Sequence, residues 1–229
     1  ILDCLNDEDI TIRQRALDLL CGVVNQKNLK SIVTRLMKSL NEINNKASAS
    51  VLEEKYKDHL IEKIILTCSK DNYANIANFK WYLEILISLT QVKSAAHGKL
   101  IAAQLIDVLI RVKSIRDYGV QEMIKLLSSP QLQTESSETS AVFEVLYAAA
   151  WLTGEFISDC ATHEELEILR ALVQPSVLSL PLRIQSSYVL TIAKIYTHAC
   201  KSAEQEESVK ETLPELIEAT KQGLQMFLK

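Results

Sequence analysis

Histidine and cysteine side chains could bind a metal ion or supply a nucleophile, but their spacing in this sequence favours neither. Cys160 stands three residues before His163, and Cys200 stands two residues after His198. A structural zinc site needs four ligands, and neither pair has an evident third or fourth. We therefore predict no metal site. The histidines are interpreted as surface or groove-lining side chains: His59, His97, His163 and His198.

Paired glutamates are the other residues that could do chemistry, since two carboxyl groups can act as general acid and base. Three such pairs occur, and each is interpreted as a solvated helix end: Glu53-Glu54, Glu164-Glu165 and Glu206-Glu207. The sequence has no glycine-rich phosphate loop and no nucleophile elbow. We expect no catalytic residue, no cofactor and no enzymatic activity.

A basic cluster at 111–116 contains Arg111, Lys113 and Arg116. Cations at a helix C-terminus complement the helix dipole and cover its last carbonyl groups, which is one interpretation of the cluster. Contact with an acidic partner or an anionic lipid headgroup is the other. The net charge of −4, with lysines and arginines spread along the chain, argues against a nucleic-acid partner.

The elements that would position these residues are helices. Hydrophobic residues make up 48% of the chain and there are few glycines and prolines, which favours long helices over a sheet. Residues 9–20 resemble the second helix of a HEAT-type repeat. Asp9 is expected to cap this helix, and Arg13 to reach an acid or a carbonyl group in its own or the adjacent repeat. The apolar positions predict one buried stripe: Ile12, Ala16, Leu19, Leu20 and Val23.

Similar helices recur along the chain. The second helices of successive pairs are predicted to begin near residues 11, 51, 98, 139 and 182, which are 40 to 47 residues apart, the period of HEAT and armadillo repeats. We predict an all-α fold: an α-solenoid of about five HEAT/armadillo-like helix pairs. Residues 1–229 would form a fragment of a single helical-repeat trunk domain, with loops near 41–50 and 128–140.

The cysteines and the hydropathy of the sequence indicate the cellular compartment in which the protein is expected. Five widely spaced cysteines, an odd number, indicate reduced thiols and a cytoplasmic protein. The longest apolar run, Val145 to Leu152, has eight residues, whereas a membrane span needs about 20. A chain that begins with Ile1 in the middle of a pattern is expected to be a piece of a longer protein.

Trp151 and Gly154 follow three alanines in the most apolar part of the chain. Trp151 is interpreted as a core aromatic residue. Small residues here suggest that a neighbouring helix backbone approaches closely, so we expect Gly154 to serve helix packing. The alternative is a helix end, where a positive φ favours glycine.

Four stretches resemble the adaptins, the large chains of vesicle-coat adaptor complexes. Residues 151–155 (WLTGE) resemble the W-x-x-G-E element of their trunks. Residues 97–104 (HGKLIAAQ), 110–116 (IRVKSIR) and 144–151 (EVLYAAAW) most resemble the delta-type large chain of the third adaptor complex. The resemblance covers the C-terminal half of the trunk and runs from about residue 1 to about residue 196.

This resemblance implies a structural large subunit of a heterotetramer, with a beta-type large chain, a medium chain and a small chain as partners. It further implies recruitment by an Arf-type GTPase and peripheral association with Golgi and endosomal membranes and coated vesicles. The cargo would travel to lysosomes or related organelles. Two alternatives remain open at this point: another HEAT-repeat scaffold, such as a nuclear transport receptor or phosphatase scaffold, and an enzyme whose catalytic part lies outside this chain.

Overall fold

The computed structural model of the protein describes residues 1–45, 50–92, 97–129, 141–160, 165–205 and 207–228. Within these ranges the chain forms helices, turns and short connections, and no strand is present. None of the helices in these ranges is both long and apolar enough to cross a membrane.

The α-helices, numbered in chain order, are α1 (Ile10–Gly22), α2 (Leu29–Asn44), α3 (Val51–Tyr73), α4 (Phe79–Thr90), α5 (Gly98–Arg111), α6 (Arg116–Leu127), α7 (Ala141–Phe156), α8 (Glu165–Leu172), α9 (Leu182–Gln205) and α10 (Glu207–Phe227). Short 3₁₀ helices occupy Asp3–Asn6, Lys113–Ile115, Ile157–Asp159 and Pro175–Ser179. The second helices of the predicted pairs are α1, α3, α5, α7 and α9, and they begin within about two residues of their predicted starts.

Polar side chains fix where several helices begin. Ser50 and Glu53 form a capping box at the start of α3: the Ser50 hydroxyl accepts from the Glu53 amide at 3.2 Å, and the Glu53 carboxylate accepts from the Ser50 amide at 3.0 Å. Asn78 caps α4 by accepting from the amides of Lys80 and Trp81. These bonds satisfy amides that have no partner inside the helix.

The predicted apolar stripe of α1 is partly wrong. Ala16, Leu17 and Leu20 are buried, whereas Leu19 is 59% exposed. Ile12 and Val23 are exposed as well. The helix therefore buries a narrower face, centred on Leu17, because α3 is the long helix that packs along it. The periodicity identified the helix correctly but assigned its inner face with an error of about one position.

The predicted loop at 41–50 begins too early. The helix α2 continues to Asn44, and Ser50 already belongs to the cap of α3, so only the few residues between them connect the two helices. Most of the predicted loop at 128–140 lies outside the described residues.

The α3 helix loses helical geometry from Lys70, and positive φ angles at Asp71, Asn72 and Tyr73 turn the chain toward α4.

The described contacts divide the chain into two compact units, Ile1–Ile101 and Ala102–Lys229. In the first unit, both α1 and α2 pack against α3. In the second unit, α7 packs between α6 and α9, while α9 also contacts α8 and α10. The first helices of successive pairs also contact one another: α6 contacts α8, and α8 contacts α10. Helices thus pair with their sequence neighbours and stack on the equivalent helices of the next pair, and the predicted all-α solenoid of HEAT/armadillo-like helix pairs is confirmed.

Candidate functional site

The described histidines each face a carboxylate. His59 Nε2 lies 3.9 Å from Asp18 Oδ1, His97 Nε2 lies 3.6 Å from Asp58 Oδ1, and His198 Nδ1 lies 3.5 Å from Glu165 Oε1. His163 lies outside the described residues. Among the residues that are described, no three His, Cys, Asp or Glu side chains come together in a way that could hold a metal ion.

Cys160 is a structural thiol. Its side chain is buried, with Sγ 3.8 Å from the carbonyl oxygen of Asp117 on α6. Burial raises the pKa of this thiol to about 12, so it carries no thiolate at neutral pH. The same cause raises the pKa of the buried Cys68 to about 12. Neither cysteine is suited to nucleophilic chemistry.

Asp9 lies at the N-terminus of α1, where the sequence placed it. Its carboxylate accepts hydrogen bonds from the Thr11 amide and the Thr11 hydroxyl, both at 2.8 Å. These bonds lower the pKa of Asp9 below its ordinary value. The residue therefore remains ionised near neutral pH and complements the helix dipole.

Arg13 makes a different contact from the one predicted. Its guanidinium lies over the ring of Tyr56 on α3, 4.9 Å from the ring centroid, and in the described structure its Nε atom is buried without a hydrogen-bond partner. The expected bond to an acid or a carbonyl group is thus replaced by a cation–π contact with the adjacent second helix. Tyr56 is fully buried, and this burial raises the pKa of its hydroxyl.

Of the three residues in the basic cluster, Arg116 has a structural role. Its Nε donates to the Leu109 carbonyl at 2.9 Å, and its Nη2 donates to the Ile110 carbonyl at 2.8 Å. These carbonyls belong to the last turn of α5, which has no helical partner for them. Nη1 pairs with Asp159 at 3.0 Å, and the guanidinium lies 4.1 Å from the centroid of the Phe156 ring. Arg116 therefore joins the end of α5 to the end of α7.

Arg111 and Lys113 have other surroundings. Arg111 Nε pairs with Asp107 Oδ1 at 2.7 Å, one turn earlier on α5, and its side chain is more than half exposed. Lys113 is exposed in the 3₁₀ helix that follows. The structure thus separates the predicted cluster into one structural arginine and two side chains that reach solvent.

Trp151, on α7, is partly exposed rather than fully buried, so it is not one of the core residues of this helix as expected. Its ring meets that of Phe156 edge to face, with centroids 6.3 Å apart. The fully buried positions around it are taken by small and aliphatic side chains, Ala148, Ala149, Ala150 and Leu152. Small residues let α6 and α9 approach α7 closely, which leaves little room for an indole ring between them.

Gly154 lies where α7 meets α9. A Cβ atom built on Gly154 would lie 3.1 Å from Thr191 Oγ1 and 3.2 Å from Thr191 Cα. Thr191 itself donates its hydroxyl to the Ala150 carbonyl at 2.7 Å, so the two helices are joined at this point by a buried hydrogen bond. No described glycine has a positive φ, which contradicts the alternative of a left-handed helix end.

Ion pairs between successive second helices are the feature that sequence reasoning missed. Arg183 on α9 pairs with Glu144 on α7 at 2.9 Å and covers the Tyr147 ring, and Lys194 pairs with Glu155. In the first unit Lys63 on α3 pairs with Asp18 on α1 at 2.7 Å. In each case the acid is on the earlier helix and the base on the later one. A search for acid–base spacings near the repeat period could have found them.

These features define a helical-repeat scaffold, in which buried contacts hold helix pairs in a stack and charged side chains bridge neighbouring pairs. Comparison with known proteins agrees with this class. The model of the adaptin N terminal region matches residues 1–226. The chain belongs to this family.

Several relatives share this region. AP-3 complex subunit delta of Dictyostelium discoideum is 45% identical over 203 residues, covering 89% of this chain and 17% of that protein. AP-3 complex subunit delta-1 of Bos taurus is 45% identical over 205 residues, covering 90% of this chain and 16% of that protein. AP-1 complex subunit gamma-1 of Mycosarcoma maydis is 26% identical over 218 residues, or 90% of this chain and 22% of that protein. The expected similarity to delta-type large chains is confirmed, and this chain spans less than a quarter of the length of these relatives.

Proposed function

We propose that this chain is part of the trunk of an adaptor-complex large subunit and acts as a structural, non-catalytic component of vesicle-mediated transport of membrane cargo. The match of the adaptin family model over residues 1–226 is the observation that carries the proposal. The 45% identity to two relatives named as delta subunits of AP-3 complexes supports the more specific role. In that role the cargo travels from the Golgi or endosomes to lysosomes or related organelles.

The partners that follow from this proposal are a beta-type large chain, a medium chain and a small chain, with an Arf-type GTPase as the recruiting protein. The relatives are named as subunits of complexes, which supports the first three. The protein would be cytoplasmic and bind peripherally to Golgi and endosomal membranes and to coated vesicles. We also propose that residues 1–229 belong to one trunk domain, since the family match extends through both compact units.

The exposed side chains suit a subunit that binds other proteins. Large apolar residues that would gain from burial against a partner are exposed in both units, among them Leu19, Val51, Leu182, Leu190 and Ile217. Such residues contribute to interfaces when they form contiguous patches. A stack of helix pairs offers an extended surface for these contacts.

Arg111 and Lys113 remain candidates for contact with an acidic partner or an anionic lipid headgroup. Both reach solvent, and Arg111 shares its charge with Asp107. The role of Arg116 in capping α5 removes it from this surface. The contact proposed from the sequence is therefore reduced to two side chains.

Co-purification tests the main proposal. The full-length large chain that contains this segment would be expressed with the beta-type, medium and small chains and isolated through a tag on the small chain. Recovery of all four chains in equal amounts supports the proposal. If the large chain does not co-purify with the tagged small chain, and a tag on the large chain itself instead recovers a phosphatase catalytic subunit or nuclear transport cargo, the alternative scaffold function is correct.

A charge-reversal pair tests the basic surface. Arg111→Glu with Lys113→Glu should weaken recruitment to anionic vesicles or assembly with partner chains, and the two measurements distinguish a lipid from a protein ligand. Lys99→Glu is the control, because Lys99 is also exposed on α5 and its reversal makes half the change in charge that the pair makes. If the loss of binding per unit of charge changed were the same for the pair and for the control, the contribution of these residues would be nonspecific electrostatic attraction.

A further inference from the structure

A groove in the second unit runs between α8 and α10. It has a volume of about 680 Å³ and is open to solvent. Its floor is apolar and only half-buried: Leu166, Val173, Ala219 and Met226. This volume lies within the range of about 300–1,000 Å³ that is typical of ligand pockets. The open shape suits a side chain presented by a peptide or helix better than an enclosed small molecule.

Gly223 sets the depth of this groove. A Cβ atom at this position would lie 2.2 Å from Val173 Cγ1, so α10 can rest against the end of α8 only because residue 223 has no side chain. Gly223 is itself buried. This close approach fixes the distance between α8 and α10, and that distance determines the width of the groove.

The two walls of the groove carry opposite charges. Glu215 and Glu218 lie one turn apart on α10, and both are exposed. Arg170 is exposed on the α8 side. Within the described part of the chain neither glutamate pairs with Arg170, although Gln222 donates to Glu218 at 3.0 Å. The charges thus stay available at the rim, above an apolar floor.

We propose that this groove binds a segment of another adaptor-complex subunit, one that inserts a large apolar side chain and carries a lysine or arginine on the side facing α10. This inference rests on the proposed function, since it takes the partner from the same complex. Burial of the half-buried floor would drive binding. The segregated wall charges select the occupant, because an acidic group facing Glu215 and Glu218 would be repelled.

Thiol protection tests this inference on the full-length large chain. Gln222→Cys places a thiol at the rim, and its modification by N-ethylmaleimide would be measured by mass spectrometry of the peptide that contains position 222. Three samples are compared: this 229-residue chain, the full-length large chain alone, and the complex isolated by co-purification. We expect modification to be roughly tenfold slower, or more, in the complex only, as for a residue at a desolvated interface.

Charge reversal identifies the occupant. Glu215→Lys with Glu218→Lys should restore rapid modification in the complex, because the basic group of the occupant is then repelled. Glu167→Lys is the matched control, since Glu167 is exposed on α8 and does not line the groove. The control should leave the protection unchanged.

Each other outcome overturns the inference in a distinguishable way. Protection in the full-length large chain alone would show that another segment of the same chain covers the groove. An assembled complex with an unprotected thiol would show that no partner binds there, and protection insensitive to the charge reversal would exclude a basic occupant. Failure of the four chains to assemble would instead overturn the proposed function, and the groove inference with it.

Discussion

Thr191 lies so close to Gly154 that a methyl group on Gly154 would stand 3.2 Å from the Thr191 Cα atom, which belongs to the backbone of the neighbouring helix. The Thr191 hydroxyl donates to Ala150 one turn before Gly154, so the close approach and the hydrogen bond support each other. Both residues are buried. The distance between α7 and α9 is thus set by the smallest side chain at one position and a short polar side chain at the other.

Gly154→Leu should therefore destabilise the protein, by about 1–3 kcal/mol or more, because overpacking forces the two helices apart. Thermal unfolding of the 229-residue chain measures this loss. Gly154→Ala should cost less, since a methyl group needs a shift of only a few tenths of an ångström. Assembly with partner chains should weaken only in proportion to the lost stability; full stability combined with failed assembly would make this position an interface.

Gly22→Ala is the matched control for that measurement. Gly22 ends α1, and a Cβ atom there would meet nothing within 4 Å. Alanine is favoured over glycine in a helix by roughly 0.5–1 kcal/mol, so this change should be neutral or stabilising. If both glycine-to-alanine changes had the same effect, the contact with Thr191 would have no energetic consequence.

Arg116→Met should destabilise the second unit by about 1.5–3 kcal/mol, because it leaves the Leu109 and Ile110 carbonyls without their charged donor. Methionine keeps most of the apolar stem, so the loss reports the contacts of the guanidinium: its bonds to the two carbonyls, its pair with Asp159 and its contact with the Phe156 ring. Lys113→Met makes the same charge change at an exposed site nearby and should alter the free energy of unfolding by less than about 0.5 kcal/mol. Denaturant unfolding of both variants compares them, and equal losses would contradict the capping role of Arg116.

Tyr56→Phe should leave stability unchanged or raise it. The Tyr56 hydroxyl is buried and has no hydrogen-bond partner in the described structure, so removing it relieves the cost of an unsatisfied polar group, about 1–3 kcal/mol. Phenylalanine keeps the ring under Arg13, whereas Tyr56→Leu loses the ring and with it the cation–π contact. Thermal unfolding should rank the leucine variant well below the phenylalanine variant.

Arg13→Ala should cost about 0.5–2 kcal/mol, the range of cation–π contacts at partly desolvated sites. The loss should be smaller in a Tyr56→Leu background, which already lacks the aromatic ring. A double-mutant cycle with chemical denaturation measures this coupling. Additive effects of the two changes would show that Arg13 is held by something other than the ring.

The helices could be predicted from the sequence because their apolar residues recur at helical spacing, and some begin after a capping side chain, as at Asp9, Ser50 and Asn78. Asp9 and Gly154 were placed correctly for this reason: a cap and a small residue in an apolar run have local causes. The contact of Arg13 with Tyr56 was not predicted, since the two residues are 43 positions apart and many acids and carbonyl groups were equally compatible with Arg13.

Surface roles were harder to predict than helices. The sequence at 111–116 predicts one basic patch. In the structure, the turn between α5 and α6 directs Arg116 toward the protein interior and leaves Arg111 and Lys113 exposed to solvent. Neither the direction of that turn nor the position of Asp159, which pairs with Arg116, follows from local pattern. The groove between α8 and α10 depends in the same way on a contact between Gly223 and Val173, which are 50 positions apart.

The pair formed by Asp18 and Lys63 makes the stability of the first unit depend on pH. The hydrogen bond from Lys63 lowers the pKa of Asp18, and the bond to Asp18 raises the pKa of Lys63. A carboxyl group whose pKa is lowered on folding adds stability above its unfolded pKa, near 3.9, and loses it as the pH falls through the folded value. A lysine whose pKa is raised adds stability below its unfolded value, near 10.4, and loses it as the pH rises further. The pair should therefore stabilise the fold between about pH 4 and pH 10.

Asp18→Asn should cost about 0.2–1 kcal/mol near pH 5, since Asp18 is 45% exposed and solvent screens the pair. The cost should shrink as the pH falls below about 4, because the contribution of a carboxyl group whose pKa is lowered on folding is lost between its unfolded and its folded pKa. Lys63→Met should show the same loss with the same dependence on pH, and the double variant should show no further loss. Urea unfolding at intervals between pH 5 and pH 3 measures these differences; a cost of Asp18→Asn that stayed constant across the interval would mean that the residue acts through packing rather than through its charge.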